Sequence, residues 1–125
     1  MELVATKGER KVWFENYNET PLSFPFEGKP FVCVIWNNKE RYSSKSLAEE
    51  IINANCKYFL AGGVNCHQWE LLADLAYIDQ FPEETRTEDD HVMTTSHENE
   101  PLEEVLWYAL MNTSFDDHDF KDFLI

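Results

Sequence analysis

Six consecutive apolar residues, Phe31-Val32-Cys33-Val34-Ile35-Trp36, bounded by Pro30 and Asn37-Asn38, restrict this chain more than any other stretch. A strand with one wet face alternates apolar and polar residues. This run does not, so both of its faces must be covered, as in the central strand of a parallel sheet with helices on either side. A helix-like stretch follows, then a second apolar run, Lys57 to Ala61, ending in Gly62-Gly63. Another helical stretch leads to His91-Val92-Met93-Thr94-Thr95, a third leads to a last apolar run from Phe120 to Ile125. Strand and helix alternate three times. The pattern predicts one α/β domain over residues 1–125, a small three-layer α/β/α sandwich with a mostly parallel, Rossmann-like central sheet.

The helices carry their own signatures. From Ser43 to Asn55, the residues Leu47, Ala48, Ile51 and Ile52 fall on one stripe, and Ser46-Leu47-Ala48-Glu49 has the capping-box order, with Ser43 or Ser44 as alternative caps. The second helix is expected to start at Asn65, with Gln68 as its box partner, and to be well buried: Trp69, Leu72, Ala73 and Ala76 form its stripe, widened by Leu71, Leu75 and Ile78. The third starts near Glu100-Pro101, with Glu103 and Glu104 meeting the positive end of the helix dipole. Before the central run the pattern is weaker. Lys11 to Tyr17 reads as an edge strand, Asn18 to Pro21 as a turn, and residues 1–30 as a cover for one side of the sheet.

Charge excludes several functions. The net charge is −14, yet residues 1–60 hold eight acids and eight bases, so the whole excess lies in residues 61–125. Such a field repels nucleic acid and anionic membrane and attracts basic proteins, so direct nucleic-acid binding and membrane association are not expected. No stretch approaches the ~20 apolar residues of a membrane span, and the first residues lack the basic start and apolar core of a signal peptide. Three cysteines, Cys33, Cys56 and Cys66, without CxxC spacing, read as reduced thiols, which together predicts a cytoplasmic protein. His91, His97 and His118 lack metal-ligand spacing, and the acidic loops lack the order of a calcium loop, so no metal and no cofactor are expected.

Two places could carry function. In an open parallel sheet, ligands bind at the carboxyl ends of the strands, here Trp36-Asn37-Asn38, Gly62-Gly63-Val64-Asn65-Cys66-His67 and Thr94-Thr95-Ser96-His97-Glu98. Cys66, at a helix start, could be a thiolate with His97 as base, and the Gly62-Gly63 turn could meet a phosphate. That would make the chain a small nucleotide- or metabolite-binding domain or an enzyme. The structural alternative is that Asn65 and Thr95 are caps and turn residues. The second place is the acidic half. Its segments alternate with helix and strand, so they are expected to converge on one side, with Trp107 and Tyr108 among the aromatic anchors.

The stretches Asn65-Cys66-His67-Gln68-Trp69-Glu70 and Val92 to Leu102, in a small acidic α/β chain without a catalytic motif, resemble immunity proteins of bacterial toxin–immunity pairs, including contact-dependent growth-inhibition systems. The resemblance implies a non-enzymatic inhibitor that covers a cationic toxin, most often a basic nuclease domain. The residues expected to meet that partner are Asp79, Glu83, Glu84, Glu88, Asp89, Asp90, Glu98, Trp107, Tyr108, Asp116, Asp117 and Asp119.

Overall fold

The computed structural model describes residues 2–7, 10–14, 24, 29–37, 45–87, 91–111 and 122–124. Their order is β1 (Glu2–Lys7), β2 (Arg10–Phe14), β3 (Phe31–Asn37), α1 (Lys45–Asn53), β4 (Cys56–Gly63), α2 (Cys66–Gln80), β5 (Met93–His97), α3 (Leu102–Met111) and β6 (Asp122–Leu124). The six strands form one sheet in the order β1-β2-β6-β3-β4-β5. Only β1 and β2 pair antiparallel; β2 with β6, β6 with β3, β3 with β4 and β4 with β5 are parallel.

The apolar run occupies the central strand, and its alternate residues serve two different cores. Phe31 and Cys33 face Leu47, Ile51 and Ile52 of α1 and Trp69, Ala73 and Ala76 of α2. Val32 and Val34 face Val105 and Ala109 of α3. On β4 the same split puts Phe59 and Ala61 toward α1 and α2, and Tyr58 and Leu60 toward α3. The result is the expected three-layer sandwich. A shift in register between Phe31 and Val32, where Phe31 pairs with Cys56 but Val32 with Tyr58, brings Cys56 onto the α1/α2 face beside Phe59.

The left-handed positions sit at element ends. Asn55 (φ 84°) follows α1, where its N–H donates to the Ile52 carbonyl at 3.2 Å, a common way to end a helix. Gly63 (φ 76°) turns the chain out of β4. Gly62 is small for a different reason: a Cβ there would lie 2.8 Å from two ring carbons of Trp36 and 3.4 Å from Val105. Gly62→Ala therefore has to displace the Trp36 ring. The expected cost is about 1–3 kcal/mol, read from a urea midpoint, accompanied by a changed tryptophan emission. An unchanged midpoint and spectrum would show that Trp36 does not pack against Gly62.

Several expectations need correction. Within residues 1–30, Phe24 does pack on the α1/α2 face of the core, its ring 5.6 Å from that of Phe31, but β1 and β2 do not cover a face of the sheet. β1 and β2 extend it sideways, so β2 is an inner strand and β1 the edge. The remainder of the predicted Lys11–Tyr17 strand and the Asn18–Pro21 turn lie outside the described residues. Ser46 falls inside the first turn of α1 and so is not its N-cap. Asn65 does precede α2, but in the left-handed region (φ 61°) and without a side-chain cap; its backbone carbonyl accepts from Gln68 and Trp69. The strand expected at His91–Thr95 runs from Met93 to His97.

Candidate functional site

The two-residue displacement of β5 has a direct chemical consequence, because it brings Ser96 and His97 into the strand and fixes which way they point. Side chains alternate along a strand. Thr94 and Ser96 face α2, where the Thr94 hydroxyl donates to Asp74 at 2.6 Å and the Ser96 hydroxyl meets Nδ1 of His67 at 2.9 Å. Thr95 and His97 face α3, where the His97 ring lies edge-on to Tyr108 with centroids 5.0 Å apart.

Each of the two histidines links a hydroxyl to a carboxylate. His67 Nε2 lies 3.1 Å from Glu98, and His97 Nδ1 lies 2.8 Å from Glu100 while its Nε2 lies 2.8 Å from the Thr95 hydroxyl. A carboxylate only accepts, so the nitrogen facing it carries the proton in the neutral ring, and the other nitrogen accepts from the hydroxyl. The two chains differ in access. His97 is 6 % exposed, packed under Tyr108, whose hydroxyl pairs with that of Tyr58 at 3.0 Å. His67 and Glu98 are both open, with side chains 63 % and 66 % exposed.

Of these groups, His67, Glu98 and Glu100 line an open depression of ≈ 700 Å³ at the carboxyl ends of β3, β4 and β5, together with Trp36, the rest of the Gly63-to-Gln68 turn and Asn99; Ser96 reaches it through its hydrogen bond to His67. The expected rim is therefore assembled. The topological switch lies beside it, since α3 crosses to the opposite face and returns the chain as β6 on the other side of β3. The Cys66 thiolate with His97 as its base is not formed: Cys66 is 3 % exposed, and both ring nitrogens of His97 face other partners. Among the described residues no His, Cys, Asp and Glu come together in a metal-binding group. With Glu98 and Glu100 in the lining and no lysine or arginine among the described residues there, the described lining suits a neutral or cationic ligand better than a phosphate.

Among the described residues, the acids expected to meet a partner fall in two places. Asp79 ends α2 and Glu83 and Glu84 follow it, at the edge where β5 begins, whereas Glu98 stands where β5 finishes. A helix of α2's length holds those ends about 20 Å apart. Glu98 instead joins Glu100, Glu103 and Glu104 near Trp107, which is 66 % exposed; the last four and Tyr108 border a second, smaller hollow of ≈ 390 Å³. Tyr108 is held between His97 and Tyr58 rather than projecting as an anchor. Glu88, Asp89, Asp90, Asp116, Asp117 and Asp119 lie outside the described residues.

The outer face of α2 differs from its expected burial. Leu71, Leu75 and Ile78, expected to widen the buried stripe of α2, are 57 %, 43 % and 54 % exposed. Cys66, Trp69, Ala73 and Ala76 alone face the sheet from this helix as fully buried residues. The spacing of Leu71, Leu75 and Ile78 puts them on one outer face, which continues directly to Asp79.

The arrangement defines an α/β domain with a parallel inner sheet, a strand-end depression and an apolar outer helix face. The chain belongs to the DUF7684 family, a domain of unknown function, whose family model matches residues 14–125. Comparison with curated proteins and with solved structures gives no match. No helix among the described residues is long and apolar enough to cross a membrane.

Proposed function

We propose that this domain is a binding protein for a basic protein partner, and in its sharpest form a cytoplasmic immunity protein that neutralises a cationic nuclease toxin. The observation that supports it most is the exposed Leu71–Leu75–Ile78 face of α2 running into Asp79, Glu83 and Glu84. Exposed apolar side chains in contiguous array mark interaction surfaces. Here they adjoin acids on a chain of net charge −14. Long-range attraction would bring a cationic partner in quickly, and the leucines would hold it once water is excluded. Trp107 and the acids around it offer a second contact of the same chemistry at the other end.

The test is capture from the cells that make the protein, with wild type, Leu75→Asp and an Asp79→Lys/Glu83→Lys/Glu84→Lys variant side by side. One basic protein held by wild type, with nuclease activity suppressed in the complex, is the expected result. Leu75→Asp should weaken its retention at least tenfold, about 1.4 kcal/mol, chiefly through faster dissociation. The triple reversal should slow association and flatten its salt dependence. Equal retention by all three proteins would remove α2 from the interface.

A further inference from the structure

The geometry points to Ser96 as an acyl-accepting nucleophile, with His67 as its general base and Glu98 as the residue that positions His67, so that the strand-end rim hydrolyses small carboxylic esters. This rests on the rim alone and is independent of partner binding through α2.

The case begins with proton placement. Glu98 accepts the His67 Nε2 proton at 3.1 Å, which leaves the Nδ1 lone pair directed at the Ser96 hydroxyl 2.9 Å away. A hydroxyl within hydrogen-bond reach of a base that is itself oriented by a third group is the arrangement that activates serine, whatever fold carries it. Two elements and a turn build it: α2 supplies His67, β5 supplies Ser96, and Glu98 follows β5 directly. The parallel chain Thr95–His97–Glu100 has the same connectivity but differs where it matters. Its imidazole is buried beneath Tyr108 and its hydroxyl is secondary and more hindered, so it braces the rim while the Ser96 chain meets solvent.

The chemistry balances with water as the only co-reactant. Ser96 Oγ forms a bond to the ester carbonyl carbon as its proton passes to His67 Nδ1, and Glu98 faces the resulting imidazolium. Collapse of the tetrahedral intermediate breaks the bond to the alcohol oxygen, which takes the proton from His67. Water then attacks the acyl group on Ser96, gives its proton to His67, and releases the acid as Ser96 recovers the proton. His67 stands in the first turn of α2, which Asn65 leaves without a side-chain cap, so the positive end of the helix dipole is at hand where oxyanion charge develops. The substrate class follows from the lining. Glu98 and Glu100 disfavour anionic esters, and the open shape of the depression suits short acyl groups on neutral or cationic alcohols.

The experiment uses a neutral alkyl fluorophosphonate, which transfers its phosphonyl group to an activated serine with loss of fluoride, followed by peptide mapping. Hydrolysis of p-nitrophenyl acetate gives a second readout. The expected result is one adduct, on Ser96, absent from Ser96→Ala. His67→Gln should slow labelling about 100-fold, the low end for general-base catalysis. Glu98→Gln should slow it by about three- to fivefold, the modest effect expected of an exposed pair, with the half-saturating probe concentration unchanged because the probe is neutral. Leu75→Asp, on the outer face of α2, should label like wild type. No adduct on Ser96, or an adduct that forms at the same rate in His67→Gln with an unchanged melting temperature, overturns the assignment. Either outcome leaves the capture experiment on α2 unaffected, so the two proposals fail separately.

Discussion

Replacing Phe59 by alanine is expected to cost about 3–5 kcal/mol, the usual range for a buried phenylalanine, and so to leave most of the protein near its unfolding threshold. Phe59 is fully buried on β4, the strand between β3 and β5, and it faces α1 and α2. Its removal deletes apolar contact and leaves a void that the sheet cannot close, since β4 is held on both sides by parallel partners. Domains of this kind are stable by only about 5–15 kcal/mol, so a single such loss is a large share. The control is Leu75→Ala on the exposed face of α2, expected to change stability by under about 1 kcal/mol. Urea unfolding of both variants checks the pair. Equal costs would mean that the inward and outward faces have been confused, and with them the interaction surface.

That contrast between Phe59 and Leu75 also separates what the sequence made legible from what it did not. The β3 run named its own environment, because a strand without a polar face has to be covered twice, and both predicted cores exist. α1 was equally plain: four apolar residues on one stripe, then an asparagine able to take the left-handed turn. α2 was harder, since it is apolar on more than one face, and nothing local says which face meets the sheet. Leu71, Leu75 and Ile78 were therefore assigned inward and lie outward. The β1–β2 extension and the insertion of β6 between β2 and β3 depend on pairings far apart in the chain, which periodicity does not report. The rim itself was located through the strand ends, but its chemistry was assigned to Cys66 and His97. What fixes the actual pairing is a two-residue shift of β5. Thr94 and Thr95 favour a strand but Ser96 and His97 carry no such preference, so neither the continuation of β5 to His97 nor the meeting of His67 with Glu98 across 31 positions was visible.

Raising the pH above 9 is expected to destabilise the fold through its buried thiols. Burial in the core pushes the Cys56 thiol from 9.0 up to about 12, and burial, then the neighbouring Cys56, pushes Cys33 well above its ordinary value. A raised pKa in the folded state means that the unfolded chain loses its protons first. The stability is therefore complete below pH 9, where both states hold the thiol protons, and is lost as pH rises from there toward the folded values. At pH 10 the Cys56 thiol contributes a loss on the order of 1 kcal/mol, and Cys33 acts in the same direction. Tyr58 acts in the same direction at higher pH, its phenol raised by burial and by the hydrogen bond with Tyr108. Urea midpoints at pH 8, 9 and 10, taken under reducing conditions, should fall steeply for wild type. In Cys33→Ala/Cys56→Ala the starting stability is lower but the slope between pH 8 and 10 should flatten, since neither chain state has those protons to lose. A wild-type midpoint that stays level to pH 10 would place both thiols in contact with water, contrary to a core in which Cys33 and Cys56 lie side by side with Phe31 and Phe59 between the sheet and its two helices.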